Sequence, residues 1–281
     1  MQEDMRYGSD YHVIPAVSIK SGTGVEVLKD VYCYTDQIVN LVLFGEPGRG
    51  SFVLVDAGMP CSAKEIISVA EARFGAGCRP EAILLTHGHF DHVGSLIDLV
   101  EHWEVPVYAH PAELPYLNGT ESYPEPDPTV EGGWIAKMSP IFPNEPIDLG
   151  DRLRLLPADG LVPYMEGFRW IHTPGHSPGH ISLFRAEDRA LIAGDAFVTV
   201  RQDELYKVLT QKLEICGPPR YLTTDWAAAK ESVKKLADLN PAVAVTGHGI
   251  PVSGSELSEG LKRLTAEFEW LAVPDYGKYV N

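Results

Sequence analysis

Apolar residues along this chain gather into short β-branched runs, and between the runs they fall back to helical spacing. "SFVLVDAG" (Ser51 to Gly58) is a β-branched run closed by a turn, and "EIISVAEARFGAG" follows with helical spacing and a glycine stop. "AILLTH" reads as a second short buried strand, "VGSLIDLVEHW" as a helix and "VPVYAH" as another strand. Strand and helix therefore alternate around a sheet in the first part of the chain. From Pro111 to Pro146 the periodicity fades, and "SYPEPDPTVEGGW" is dense in proline and glycine. A loop or lid insertion over about 111–163 is the expectation there.

Strand signals return in "DRLRLLP", in "FRWIHTPG" and in "HISLFRAEDRALIAGD", which reads as a hairpin. "DELYKVLTQKLEI" and "DWAAAKESVKKLADL" are spaced as amphipathic helices, the second capped by Thr224 or Asp225 and stopping before Asn240-Pro241. "AVAVTGHG" is a further buried strand running into a histidine turn, and "ELSEGLKRLTAEFEWLA" is the last helix. No repeat at a fixed period and no linker interrupts this order, so a single domain over 1–281 is expected.

Composition adds limits. The chain has 281 residues, 44% hydrophobic and 22% charged, with a mean hydropathy of −0.08. That is ordinary globular composition. The net charge of −16 repels phosphate backbones and argues against general nucleic-acid binding. Cys33, Cys61, Cys78 and Cys216 form no CxxC pair and read as buried thiols of a reducing compartment. The opening "MQEDMRYGSDYHVIPAVSIKSG" has neither a basic nor an apolar export region, and no apolar stretch is long enough to span a bilayer. A cytoplasmic address with no membrane partner is expected.

The chemistry concentrates in H-x-H-x-D-H at His87, His89, Asp91 and His92, where a strand ends. Alternate residues of a strand point to one side, so His87 and His89 can share one ligand. As the chain turns into the next helix, Asp91 and His92 can face a second point. Neutral imidazole and carboxylate together suit zinc, iron or manganese, and Gly88 and Gly94 leave room for a tight backbone. More donors stand at other strand ends: His172, His176 and His180 in "HTPGHSPGH", Asp195 in "LIAGDAF" and His248 in "AVTGHG". An aspartate buried after "LIAG" needs a partner. A metal is one, and backbone N–H groups of the turn are another.

"THGHFDH", "TPGHSPGH", "LIAGD" and "VTGHG", with the earlier "LVDAG" at Leu54 to Gly58, resemble the motifs of the metallo-β-lactamase superfamily in that family's order. The resemblance implies an α/β fold, the four-layer αββα sandwich of binuclear metallohydrolases. It implies two divalent metal ions, zinc first, with iron and manganese as alternatives. His87, His89 and His176 would bind the first, Asp91, His92 and His248 the second, and Asp195 would bridge them. Asp91 would also orient the nucleophile and pass on its proton. Asp56 would orient a ligand histidine, a turn-capping aspartate being its other reading. His180 is expected to hydrogen-bond at the hairpin start, His172 to pack in a strand, and His12, His102 and His110 to have no chemical task.

The implied reaction is hydrolysis of an ester, thioester or lactone of a small metabolite, by likeness of "TPGHSPGHISLF" to glyoxalase II-type thioesterases and lactonases. Tyr164 and Phe197, with Tyr123, Trp134, Phe142 and Met165, are candidates to line the pocket, packing in the protein's own core being the other and more common reading of each. Two rival readings stand beside this one. A persulfide dioxygenase-like oxidoreductase would use one iron on His87, His176 and Asp195, and a non-catalytic binding member would have lost ligands. Phe268, Trp270 and Leu271 offer either a homodimer contact or packing on their own domain.

Overall fold

A computed structural model of the chain describes residues 5–12, 14, 17–131 and 133–280. Parts of the polar opening segment (1–4, 13, 15 and 16) and Gly132 of the proline-rich stretch lie outside them. The chain divides into two compact units. The first is built from Lys20–Tyr123 and Pro143–Glu166 with the described part of Met1–Ala16, and the second from Val17–Ile19, Pro124–Phe142 and Gly167–Asn281.

The first unit carries a sheet of β1 (Thr23–Leu28), β2 (Val31–Asp36), β3 (Val39–Phe44), β4 (Ser51–Val55), β5 (Arg79–Leu84), β6 (Val107–Ala109) and β7 (Leu153–Leu155), in that spatial order. Strands β1 to β4 form an antiparallel meander. From β4 to β7 every pairing is parallel, as expected where helices carry the crossovers. Among the described residues, the α-helices α1 (Ala63–Phe74), α2 (Phe90–Val93), α3 (Leu96–Trp103) and α4 (Leu114–Leu117) accompany this sheet.

Helix α1 buries Ile66, Ala70 and Phe74, one face at four-residue spacing, and ends at Gly75, whose N–H bonds Glu71 O. Phe74 stacks on Phe52 of β4 at 4.5 Å, and Trp103 of α3 meets the same ring edge-on at 5.8 Å. With Leu43, Leu54, Ile83, Leu96 and Leu99 these residues form the core of the unit. Each such side chain contributes about 1.5–3 kcal/mol by leaving water.

The second unit adds α5 (Trp134–Met138) and a sheet of β8 (Phe168–His172), β9 (Ile181–Arg185), β10 (Ala190–Gly194), β11 (Val243–Thr246) and β12 (Val252–Ser253), in the order β12-β11-β10-β9-β8. The expected hairpin is β9 against β10, and β10 pairs with β11 in parallel. The α-helices α6 (Leu205–Thr210), α7 (Trp226–Asp238), α8 (Gly254–Ala266) and α9 (Phe268–Leu271) follow among the described residues. Asp225 caps α7 by accepting the N–H of Ala228 at 2.9 Å. Leu191, Phe197, Val233, Leu236, Leu257 and Leu264 meet in its core.

Some expectations need correction. The helix read over "DELYKVLTQKLEI" stops at Gln211, which is left-handed (φ 50°). Beyond it Glu214 N–H bonds Thr199 O, and Cys216 pairs with Val198. The last helix breaks at Glu267 into α8 and α9, with Phe268 buried and Trp270 81% exposed. Cys33, Cys78 and Cys216 are buried thiols, but Cys61 is exposed because it occupies the turn between β4 and α1. Among the described residues no helix is long and apolar enough to cross a membrane.

Candidate metal centre

Parallel pairing of β4 with β5 places Val55 beside Leu84, so both chains leave the sheet at the same edge. Crevices outside the carboxyl ends of such strands are where open α/β sheets gather ligands. There Asp56 N–H bonds Leu84 O at 2.8 Å. The Asp56 carboxylate accepts the Thr86 N–H (2.8 Å), the Thr86 hydroxyl (2.8 Å) and His92 Nδ1 (2.9 Å). Asp56 is left-handed (φ 64°), a conformation that aspartate tolerates better than most residues. The turn after it is braced from β2, where Asp36 accepts Met59 N–H and the Ser62 hydroxyl.

His87 follows the end of β5, His89 sits in extended conformation just before α2, and Asp91 and His92 lie within α2. All four are buried. The ring of His87 is 4.7 Å from that of His89 and 4.2 Å from that of His92, centroid to centroid. The Thr86 hydroxyl gives its proton to Asp56, so it receives one from His87 Nδ1 at 3.1 Å. His92 likewise donates Nδ1–H to Asp56. In both imidazoles Nδ1 therefore carries a proton, which leaves Nε2 as the atom a metal would take.

In the second unit the same logic recurs. Gly194 of β10 pairs with Thr246 of β11, and Gly247 N–H bonds Gly194 O at 2.8 Å, so Asp195 and His248 emerge side by side. His248 Nε2 lies 3.2 Å from Asp195 Oδ2, and His176 Nε2 lies 3.5 Å from the same oxygen. Thr223 donates its hydroxyl to Pro219 O (2.8 Å) and therefore accepts His176 Nδ1–H (3.1 Å). His176 Nε2 then faces a buried carboxylate oxygen, a place that calls for positive charge, which a proton on the ring or a metal ion supplies. The donor set of this centre thus fits metal ions.

His180 takes the place the hairpin register gives it, opposite Asp195. Its Nε2 accepts Asp195 N–H at 2.8 Å, which leaves Nδ1–H for the Thr173 hydroxyl at 2.9 Å. Both ring nitrogens are therefore engaged, one on the Asp195 peptide and one on Thr173. The His176 loop rests on α7: Gly175 (φ 132°) accepts the N–H groups of Thr224 and Asp225, and a Cβ there would come within 2.3 Å of Ala229 N. Gly175→Ala is expected to lower stability by about 1–3 kcal/mol, read as a drop in thermal melting.

The other histidines stand apart from these clusters. His172 Nε2 donates to Pro178 O, His110 Nδ1 caps a helical turn through Ala112 N–H, His12 is exposed with its Nδ1 on Asp10 O, and His102 is exposed. Phe197 is fully buried in its core, Met165 is buried, Phe142 packs on Tyr221, and Tyr164 and Trp134 are exposed.

Sequence reasoning missed Thr86, Thr173 and Thr223, whose hydroxyls accept the ring Nδ1–H groups, and it missed Glu113. Glu113, fully buried, accepts the Gly88 N–H at 3.0 Å and the Tyr123 hydroxyl, while Tyr123 packs on His89 with centroids 4.5 Å apart. Burial, then the charge of Glu113, pushes the Tyr123 phenol well above its ordinary pKa, so it stays a proton donor. Nothing in the sequence marked Glu113, which lies in a short helical turn far along the chain from Gly88.

Residues 34–248 match the family model of the metallo-β-lactamase superfamily. The chain belongs to that superfamily, and its α/β fold of two sheets with helices is the family's. The particular relatives are consistent. It is 49% identical over 258 residues to "Probable metallo-hydrolase YflN" of Bacillus subtilis (strain 168), covering 90% of this chain and 98% of the relative. It is 32% identical to "Hydroxyacylglutathione hydrolase GloC" of Haemophilus influenzae over 117 residues, 41% of this chain and 49% of that protein. Among solved structures, TTHA1623 in a di-iron-bound form superposes with a TM-score of 0.52 at 29% identity, covering 79% of this chain and 91% of that one. The superfamily binds metal ions, and the histidines and aspartates gathered at these strand ends form groups able to hold them.

Proposed function

We propose that this protein is a metal-dependent hydrolase that cleaves an ester, thioester or lactone of a small metabolite. His87, His89 and His176 would hold one ion and Asp91, His92 and His248 a second, with Asp195 as a ligand to either. The observation that carries this reading is where the ring protons sit: His87, His92 and His176 each give Nδ1–H to an oxygen, which leaves Nε2 as the atom toward a metal. Two divalent ions, zinc first, would supply a nucleophile at neutral pH and polarise the scissile carbonyl.

The remaining work falls to the chain itself. The Asp91 carboxylate, buried at the start of α2, orients the attacking water, takes its proton and returns it to the leaving group. Asp56 keeps the His92 ring fixed, and His180 keeps the Asp195 turn fixed. The likeness to a hydroxyacylglutathione hydrolase supports an acyl substrate. Three buried thiols support a cytoplasmic, reducing setting.

The test is the metal content of the full chain, purified without chelators or immobilised-metal resin, by elemental mass spectrometry. Close to two divalent ions per chain are expected, with hydrolysis of thioester and lactone probes lost on chelation and restored by zinc. A single iron per chain, together with oxygen uptake on a persulfide, would overturn the hydrolase reading.

A further inference from the structure

The Gly88 peptide stands between two ligand histidines, and its N–H is held twice. It donates to Glu113 Oε2 at 3.0 Å and to the Tyr123 hydroxyl oxygen at 2.9 Å. Tyr123 in turn donates its proton to the same Glu113 oxygen. The grip is the reason residue 88 is glycine: a Cβ there would lie 2.7 Å from the Tyr123 oxygen and 3.1 Å from Leu117 Cδ2. The phenol ring lies between two others, stacked on Tyr116 at 3.9 Å and tilted on His89 at 4.5 Å. Glu113 is itself fixed, its N–H bonded to His110 O at 2.9 Å in a turn that α4 continues.

We propose that Glu113 and Tyr123 form a positioning pair that fixes the His87-Gly88-His89 peptide and the His89 ring for metal binding. The inference rests on the metal reading above and adds to it a buried carboxylate that binds no metal. A fully buried carboxylate is costly unless its charge is used. Here the charge strengthens two hydrogen bonds, one from a peptide and one from a phenol, that converge on one oxygen. Held so, the peptide turns His87 and His89 to the same side without a strand to enforce it. The Tyr123 ring blocks rotation of the His89 imidazole from one face. Partners of this kind behind metal ligands are worth about 10–100-fold in metal affinity.

The experiment uses the full chain as wild type, Glu113→Gln and Tyr123→Phe, each stripped of metal and titrated with cobalt(II). It reads stoichiometry, affinity and the visible d–d absorption, and the Gly88 amide is followed by hydrogen exchange in the metal-free proteins. Both variants are expected to bind cobalt at one of two positions about 10–100-fold more weakly, with an altered d–d band. The Gly88 amide should exchange faster than in wild type, and the metal-free melting temperature of Tyr123→Phe should change little. Should the variants lose only melting temperature, with cobalt affinity, spectrum and Gly88 exchange unchanged, the pair is structural and the inference falls. A wild-type chain that binds no cobalt would instead overturn the metal reading itself, and the inference with it.

Discussion

Replacing Asp195 by asparagine is expected to strip metal from the chain and to slow hydrolysis by more than about 100-fold, because residues that merely orient ligands already account for 10–100-fold in metal affinity. The side chain is buried, with its Oδ2 3.2 Å from His248 Nε2 and 3.5 Å from His176 Nε2. Asparagine has the same size and keeps the backbone N–H that bonds His180 Nε2, so the turn should hold its shape. What it lacks is the negative charge, and with it the ability to neutralise two cations. Elemental analysis should find fewer than two ions per chain, while the metal-free melting temperature stays within a few degrees of wild type. Two ions retained with unaltered turnover would mean that Asp195 is not a shared ligand.

His176 lies in the loop between β8 and β9 and is marked by its motif alone. His87, Asp195 and His248 stand just past buried strands, and strand ends leave a sequence signal. "SFVLVDAG", "AILLTH", "LIAGD" and "AVAVTGHG" all show it, and β4, β5, β10 and β11 are the strands that result. Parallel pairing does the rest, since it sets carboxyl ends side by side. Of the partners behind the histidines, Asp56 is marked by the LVDAG motif, but Thr86, Thr173 and Thr223 are not. Thr223 reaches His176 across 47 residues. Only the register of strands and the path of loops decide such contacts. Glu113 fails for the same reason, although Gly88 carried half of the information: the room was predicted, and its occupant was not.

The fold was read unevenly. The sequence pattern assigns no strand before Ser51, yet Thr23–Leu28, Val31–Asp36 and Val39–Phe44 form a meander joined by two-residue turns. Strand β3 is buried at five successive positions, which erases the alternation that marks a half-buried strand. The helix read through Ile215 failed for a different reason. Lys212, Leu213, Glu214 and Ile215 keep helical spacing, but Glu214 bonds Thr199 and the paired Cys216 follows, so tertiary pairing overrides local preference.

Asp56 should prove the residue on which stability depends most among those that touch no metal. Asp56→Ala removes the acceptor of three buried donors: the Thr86 N–H, the Thr86 hydroxyl and His92 Nδ1–H. Buried donors left without acceptors cost about 1–3 kcal/mol each, and alanine at φ 64° adds about 1–2 kcal/mol of backbone strain. The sum, discounted for relaxation, is about 3–5 kcal/mol, a fall in melting temperature on the order of 10 °C. Asp56→Asn separates the two causes, since asparagine tolerates the left-handed backbone and retains one acceptor oxygen. It should melt between wild type and Asp56→Ala, but bind metal weakly in both cases, because its NH2 group must face a donor and His92 loses its anchor. Melting in chelator and titration with zinc measure the two effects apart. Equal melting of Asp56→Ala and wild type, with equal zinc affinity, would show that the Thr86 and His92 turn holds itself and that Asp56 only caps it.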